Sequence, residues 1–144
     1  MNKTYNYCIL LFILLTQVVA SLAKQPSDPP NILFVFSDDH AWQSIGAYGG
    51  RLKGVAHTPN IDELASEGML FRKCFVANAL CGPSRAAVLT GKYGHRNGVS
   101  WNRNANFDGS QQTFPKMMRV NGYQTAIIGK WHLASVPTGF DYFD

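Results

Sequence analysis

The chain has 144 residues, of which 46% are hydrophobic and 15% are charged, and its formal net charge is +4. This length allows one modest domain with a hydrophobic core and is too short for a second. The basic residues are scattered rather than clustered in runs, which suits an anionic substrate and does not indicate nucleic-acid binding. We therefore expect a single domain and no nucleic-acid partner.

Residues 1–23 have the pattern of a secretory signal peptide. Lys3 supplies positive charge, residues 8–20 form an apolar run, and residues 21–23 offer small side chains before a cleavage point. The apolar run is shorter than the about 20 residues that a spanning helix needs. We expect an exported protein, periplasmic or extracellular after cleavage, without stable membrane insertion; an uncleaved anchor is the alternative.

The next segments predict a linker, a strand and a helix. Residues 24–30 contain three prolines and predict an extended linker. Residues 31–37 are almost continuously apolar, which is typical of a strand covered on both faces in a parallel sheet. Thr58 and Pro59 predict the N-cap and first residue of a helix that ends at residue 66 or 67, before Gly68.

The alternation of strands and helices continues to the end of the chain. Residues 69–75 predict a second strand with Cys74 buried, and residues 123–128 predict a third. Residues 83–90 and 114–120 predict helices, separated by an Asn- and Gly-rich loop at residues 99–110. Strands that alternate with helices indicate an α/β sheet.

Two pairs of polar residues follow predicted strands, where binding sites of open α/β sheets gather. Asp38 and Asp39 follow the first strand, and adjacent carboxylates suit a hard divalent cation. Lys130 and His132 alternate about Trp131 after the third strand, so they point to one face while the indole packs on the other. Histidine can protonate a leaving oxygen, and lysine can hold charge on an anion. The alternatives are that Asp38 and Asp39 form a solvated turn after the strand, and that Lys130 and His132 are solvated side chains at a strand end.

Cys81 lies at the start of a predicted helix, where the helix dipole and unpaired N–H groups favour a thiolate or a bound anion. Arg85 is four residues further on, so it returns to the same side and can offer a planar fork to an oxyanion. From the residues alone, a Cys74–Cys81 disulfide and a surface role for Arg85 remain the alternatives.

Taken together, these residues resemble the formylglycine-dependent sulfatases of the cysteine type, which carry C-x-P-S-R followed by a Leu-Thr-Gly-basic run. Four motifs occur here in the family's order: Asp38-Asp39, Thr58-Pro59-Asn60, Cys81-Gly82-Pro83-Ser84-Arg85 with Leu89-Thr90-Gly91-Lys92, and Gly129-Lys130-Trp131-His132. They cover nearly the whole segment after the signal peptide. The resemblance implies an alkaline-phosphatase-like fold, with a mixed, mainly parallel central sheet flanked by helices.

The resemblance also implies a reaction. A formylglycine-generating enzyme would convert Cys81 to formylglycine. One hydroxyl of its hydrated aldehyde would attack sulfur in a sulfated carbohydrate and displace the substrate alcohol, and the other would then expel sulfate and restore the aldehyde. Asp38, Asp39 and the modified Cys81 would bind Ca²⁺. The implied subgroup is the bacterial glycan sulfatases, including N-acetylglucosamine-6-sulfatase-like members.

Three further catalytic residues follow from the same resemblance. Arg85 would stabilise the hydrate, Lys130 would contact sulfate, and His132 would assist at the nucleophile or the leaving oxygen.

The chain departs from the family in length, because members run to several hundred residues and place further Ca²⁺ ligands, a His and a Lys downstream. We therefore interpret residues 31–144 as the N-terminal portion of a sulfatase catalytic domain in a truncated chain, with a half-built metal site. Two alternatives stay open: a phosphate or phosphonate ester hydrolase of the same fold, and an inactive, non-catalytic fragment.

Overall fold

A computed structural model describes residues 29–144 of the chain. The predicted signal peptide, residues 1–23, lies outside the described residues, and so do residues 24–28 of the predicted linker. Residues 29–36 belong to one compact unit, and residues 37–144 form a second. Within the described residues, no helix combines the length and apolar character needed to cross a membrane.

The second unit contains short helices and a small parallel sheet. Its α-helices are α1 (Pro59–Glu67), α2 (Cys81–Thr90), α3 (Gly94–Asn97) and α4 (Phe114–Val120). Single 3-10 turns cover Trp42–Ser44, Gly46–Tyr48 and Asn102–Asn104. Strands β1 (Ala126–Ile127) and β2 (Tyr142–Phe143) pair in parallel, with Ala126 opposite Tyr142 and Ile127 opposite Phe143.

The predicted helices are confirmed, because their end signals act locally. Pro59 stands at the first position of α1, where its missing N–H costs nothing, and Gly68 ends the helix. The hydroxyl of Thr58 accepts the Gly46 N–H at 2.9 Å and donates to Asp62 at 3.1 Å, which joins α1 to the preceding 3-10 turn. Gly91 ends α2 in the left-handed conformation, with φ of +66°.

Two of the three predicted strands are wrong. Residues 31–37 and 69–75 form no strand, and their apolar side chains are exposed, with Leu33 and Phe75 each 89% accessible. Cys74, predicted to be buried, is exposed as well. A strand exists only through hydrogen bonds to a neighbouring strand, so an apolar run without such a neighbour among the described residues stays irregular. The third predicted strand is confirmed in shortened form as β1.

The hydrophobic core lies against α2. Its buried members come from α2, from the following loop and from the segment after β1: Ala86, Leu89, Val99, Ala105, Phe107 and Leu133. The segment 99–110 is irregular as predicted, yet it supplies three of these six side chains, which its Asn- and Gly-rich composition did not indicate. Trp131 packs on this core, edge-on to Phe107 and Phe140 with ring centroids 6.3 and 6.2 Å apart.

Candidate active site

Cys81 is the first residue of α2, and the surrounding backbone holds this helix end in place. The N–H of Ser84 donates to the Leu80 carbonyl at 2.8 Å, and the Leu80 N–H donates to the side-chain oxygen of Asn78 at 2.9 Å. The α2 helix rests on the core through Ala86 and Leu89. The side chain at position 81 is therefore half-buried at the start of a well-anchored helix.

The expectation that this helix start offers several free N–H groups to an anion needs correction. The Gly82 N–H already donates to the side-chain oxygen of Asn102 at 2.9 Å, and Pro83 has no N–H. The Ser84 N–H is also engaged. Among these first positions, the N–H of Cys81 is the one for which no partner is seen within residues 29–144, so side-chain cations would have to supply most of the contacts to an anion beside it.

Asp38, Asp39 and Cys81 come together in the structure. One ligand atom from each residue, a carboxylate oxygen or the Cys81 sulfur, lies within 4.8 Å of the other two. Asp39 has φ of +49°, a conformation that few residues other than glycine adopt and that is often found at functional sites. The cluster joins segments more than forty positions apart in sequence, and the role of its members as metal ligands stays a prediction.

Two cations flank Asp38. The Lys130 ammonium donates to Oδ2 of Asp38 at 2.5 Å, and Nη2 of Arg85 lies 3.4 Å from Oδ1. The hydrogen bond from Lys130 is the main reason that the pKa of Asp38 is lowered, with a smaller contribution from Arg85. The same bond raises the pKa of Lys130. Both side chains are partly exposed to solvent, so the ion pair contributes little to the free energy of folding. Its main effect is to place a positive and a negative charge beside Cys81.

Arg85 also links α2 to the segment that follows β1. Its Nη1 donates to the backbone carbonyl of Lys130, and its side chain is only 12% exposed. One guanidinium thus orients both Asp38 and the Lys130 backbone. A lysine at position 85 could not make both contacts with a planar, forked donor.

His132 approaches the site through its backbone. Its carbonyl oxygen lies 3.3 Å from the point that a Cβ on Gly82 would occupy, and its φ is +52°. The imidazole is exposed and makes no hydrogen bond or ion pair with another described residue. Trp131 packs on the core as predicted, and Lys130 and His132 are both exposed. The positive φ of His132 departs from the extended backbone on which the predicted alternation of side chains depended.

Sequence reasoning missed Asn78 and Asn102. Asn78 forms an Asx turn with Leu80, three residues before the first residue of α2, a local pattern that its position could have indicated. Asn102 contacts Gly82 across 20 positions, and a single asparagine in an Asn-rich loop carries no local signal for such a contact. Cys74 and Cys81 are both free thiols, so the disulfide considered as an alternative is absent between these two residues.

Comparison with known proteins identifies the family. Residues 30–144 match the family described as Sulfatase. The chain belongs to the sulfatase family, and its described residues are a portion of the alkaline-phosphatase-like α/β fold.

Several relatives are similar over most of this chain. The N-acetylglucosamine-6-O-sulfatase of Bacteroides thetaiotaomicron is 49% identical over 141 residues, which cover 96% of this chain and 25% of the relative. Human N-acetylgalactosamine-6-sulfatase is 40% identical over 127 residues, covering 80% of this chain and 24% of the relative. A solved structure in complex with its substrate D-glucosamine-2-N,6-O-disulfate is 52% identical with a TM-score of 0.76, covering 81% of this chain and 23% of that one. The chain spans about a quarter of the length of these relatives.

Proposed function

We propose that the whole protein hydrolyses a sulfate ester on a sulfated carbohydrate, with the residue at position 81 as nucleophile. The observation that carries the proposal is the approach of Asp38, Asp39 and Cys81 within 4.8 Å, in a chain of the sulfatase family. A carbohydrate substrate is supported by the relatives, which are named for sulfated amino sugars or were solved with one.

The donor set supports Ca²⁺ as the cofactor, held by Asp38, Asp39 and residue 81. Ca²⁺ takes carboxylate and other oxygen ligands, whereas a thiolate is a soft ligand that it does not favour. The cluster therefore fits Ca²⁺ best when position 81 carries oxygen, as formylglycine does. When bound, the ion would offset charge on the sulfate oxygens and lower the pKa of a hydroxyl beside it.

The nucleophile is proposed to be the hydrated aldehyde made from Cys81 by a formylglycine-generating enzyme. Covalent catalysis of this kind divides ester cleavage into two easier steps. The residue at position 81 is half-buried at the start of α2, and this helix start is anchored by hydrogen bonds, which would hold the nucleophile in position before substrate arrives.

The remaining roles belong to the cations and the histidine. Lys130, whose ammonium lies at the edge of the cluster, would hold a sulfate oxygen. Arg85 keeps both Asp38 and the Lys130 backbone in place. His132 would supply a proton to the leaving oxygen or take one from the nucleophile.

We also propose that the protein is exported to the periplasm or the extracellular space. The support is the pattern of residues 1–23, with a positive charge, an apolar run and small residues before a cleavage point.

Mass spectrometry of position 81 tests the proposal. Trypsin should release residues 74–85 as one peptide from the whole protein coexpressed with a formylglycine-generating enzyme. We expect Cys81 as the aldehyde and Cys74, in the same peptide, as an unchanged thiol that serves as the internal control. Sulfate release with an intact thiol at position 81 contradicts the proposal.

Turnover of matched sulfate and phosphate esters provides the second arm of the test. We expect sulfate release from a 6-sulfated amino sugar to exceed phosphate release from the equivalent phosphate ester. Faster phosphate cleavage would identify a phosphate ester hydrolase of the same fold instead.

A further inference from the structure

We propose that Asn102 is a positioning residue, which fixes the start of α2 and thereby the reacting side chain at position 81. This inference rests on the proposed function, because position 81 is taken there as the nucleophile. Asn102 lies in the 3-10 turn Asn102–Asn104, outside the four motifs that this chain shares with the sulfatases.

The first observation is the hydrogen bond itself. The side-chain oxygen of Asn102 accepts the Gly82 N–H at 2.9 Å, directly after the residue that carries the chemistry. The first N–H groups of a helix have no partner within the helix, so a side chain from elsewhere must satisfy them or water must. Asn102 therefore acts as a capping group supplied from a segment distant in sequence.

The second observation is the lack of space at Gly82. A Cβ there would lie 3.1 Å from Cβ of Ala105, 3.3 Å from Oδ1 of Asn102 and 3.3 Å from the His132 carbonyl oxygen. Contacts this short require the neighbours to shift. Gly82 is thus enclosed by the loop that carries Asn102 and Ala105 and by the backbone at His132. Asn102 supplies the hydrogen bond to Gly82.

The third observation is a second hydrogen-bonded contact between the start of α2 and the loop that carries Asn102. Asn78 accepts the Leu80 N–H at 2.9 Å, and its amide lies 3.4 Å from the Ser100 carbonyl oxygen. Asn102 and Asn78 therefore connect one loop to positions 82 and 80, on either side of Cys81. Buried Val99 and Ala105 attach this loop to the core, so the loop is a firm support.

A loss of this support should alter the rate rather than the binding of substrate. Misplacement of a reacting group by about 1 Å can lower turnover about 100-fold. The Asn102 side chain acts on residue 81 through the backbone of Gly82, which makes it a positioning residue and not a catalytic one. Substrate contacts made by Lys130 do not depend on that bond, so KM should change little.

Hydrogen exchange measured by mass spectrometry tests the contact independently of activity. In the whole protein, we expect Asn102→Ala to speed exchange in peptides that contain the Gly82 amide by about tenfold, and Asn102→Asp, which keeps an acceptor oxygen, to restore protection. The matched control is Asn121→Ala, since Asn121 also bonds a backbone group, at 2.8 Å, but at the end of α4. Unchanged exchange in Asn102→Ala would overturn the inference.

Kinetics on the same variants test the consequence. We expect kcat to fall about 10- to 100-fold in Asn102→Ala with KM nearly unchanged, at equal formylglycine content, and to recover in Asn102→Asp. A kcat equal to that of Asn121→Ala would contradict the positioning role. If the wild-type protein releases no sulfate, the proposed function fails, and the exchange result still decides whether Asn102 fixes the start of α2.

Discussion

The ammonium of Lys130 lies 2.5 Å from Oδ2 of Asp38, although the two residues are 92 positions apart. The pair brings a cation to the edge of the carboxylate cluster. Arg85 approaches the other oxygen of Asp38, so this one carboxylate contacts two cations from segments far apart in the sequence. The pair therefore sets the charge beside the cluster of Asp38, Asp39 and Cys81.

Replacing Lys130 tests its proposed contact with sulfate. We expect Lys130→Met to lower kcat/KM for a sulfate ester about 100-fold, because one charged donor to the reacting group is removed. Lys73→Met is the matched control, since Lys73 is exposed in the irregular segment 69–75. Equal kinetics for the two variants would contradict the role of Lys130.

Removal of the carboxylates tests the metal site. We expect Asp38→Asn and Asp39→Asn to reduce the Ca²⁺ retained by the whole protein, as measured by elemental mass spectrometry after dialysis. The rise in Tm on adding Ca²⁺ should shrink in both variants, because an ion that binds only the folded state stabilises it by mass action. Glu67→Gln, at the exposed end of α1, should behave as wild type. Full Ca²⁺ retention in both Asp variants would exclude this cluster as the site.

Asp141 should make stability depend on pH. The Thr125 N–H donates to Asp141 and, together with Arg119, lowers the pKa of this carboxyl. Because the pKa of Asp141 is lower in the folded state, its ionised carboxylate stabilises the fold at pH values above its ordinary pKa of 3.8. This stabilisation is lost as the pH falls through the lowered pKa. We expect Asp141→Asn to lower Tm at neutral pH and the difference from wild type to vanish in acid. A difference that is constant across pH would contradict this assignment.

Thr58 should be a stability residue of the first helix. Its hydroxyl joins Gly46 to Asp62 and makes no capping bond to the helix backbone, so the two hydrogen bonds lost in Thr58→Ala should cost about 1–2 kcal/mol in the free energy of unfolding. Thr58→Ser keeps the hydroxyl and should retain most of that stability. Denaturant unfolding of both variants measures the effect, and equal losses would show that the methyl group matters instead.

Three of the four α-helices among the described residues could be predicted because their signals are local, whereas the short α3 was not predicted. Pro59 and Gly68 bound α1, and Gly91 ends α2, through backbone preferences that act within a few residues. The strands could not be predicted in the same way. An apolar run such as residues 31–37 becomes a strand only with a partner, which its own residues do not specify.

The candidate site contains residues whose convergence could be predicted from the sequence and a contact that could not. Asp38, Asp39 and Cys81 were expected to converge from the rule for α/β sheets and from the family resemblance, and they do so even though residues 31–37 are not a strand. Their roles in catalysis stay predictions. The capping of Gly82 by Asn102 was not foreseeable, because the contact depends on how a loop packs on the core.

The amino-acid sequence by itself determined the family, the approximate bounds of three α-helices and the residue types available for chemistry, since motifs and caps are encoded in neighbouring positions. Only the tertiary structure decided that Asp38 pairs with Lys130 and that Asn102 occupies the Gly82 N–H. Hydrogen bonds and ion pairs form over about 3 Å, and such distances between remote positions arise only when the chain packs around its core.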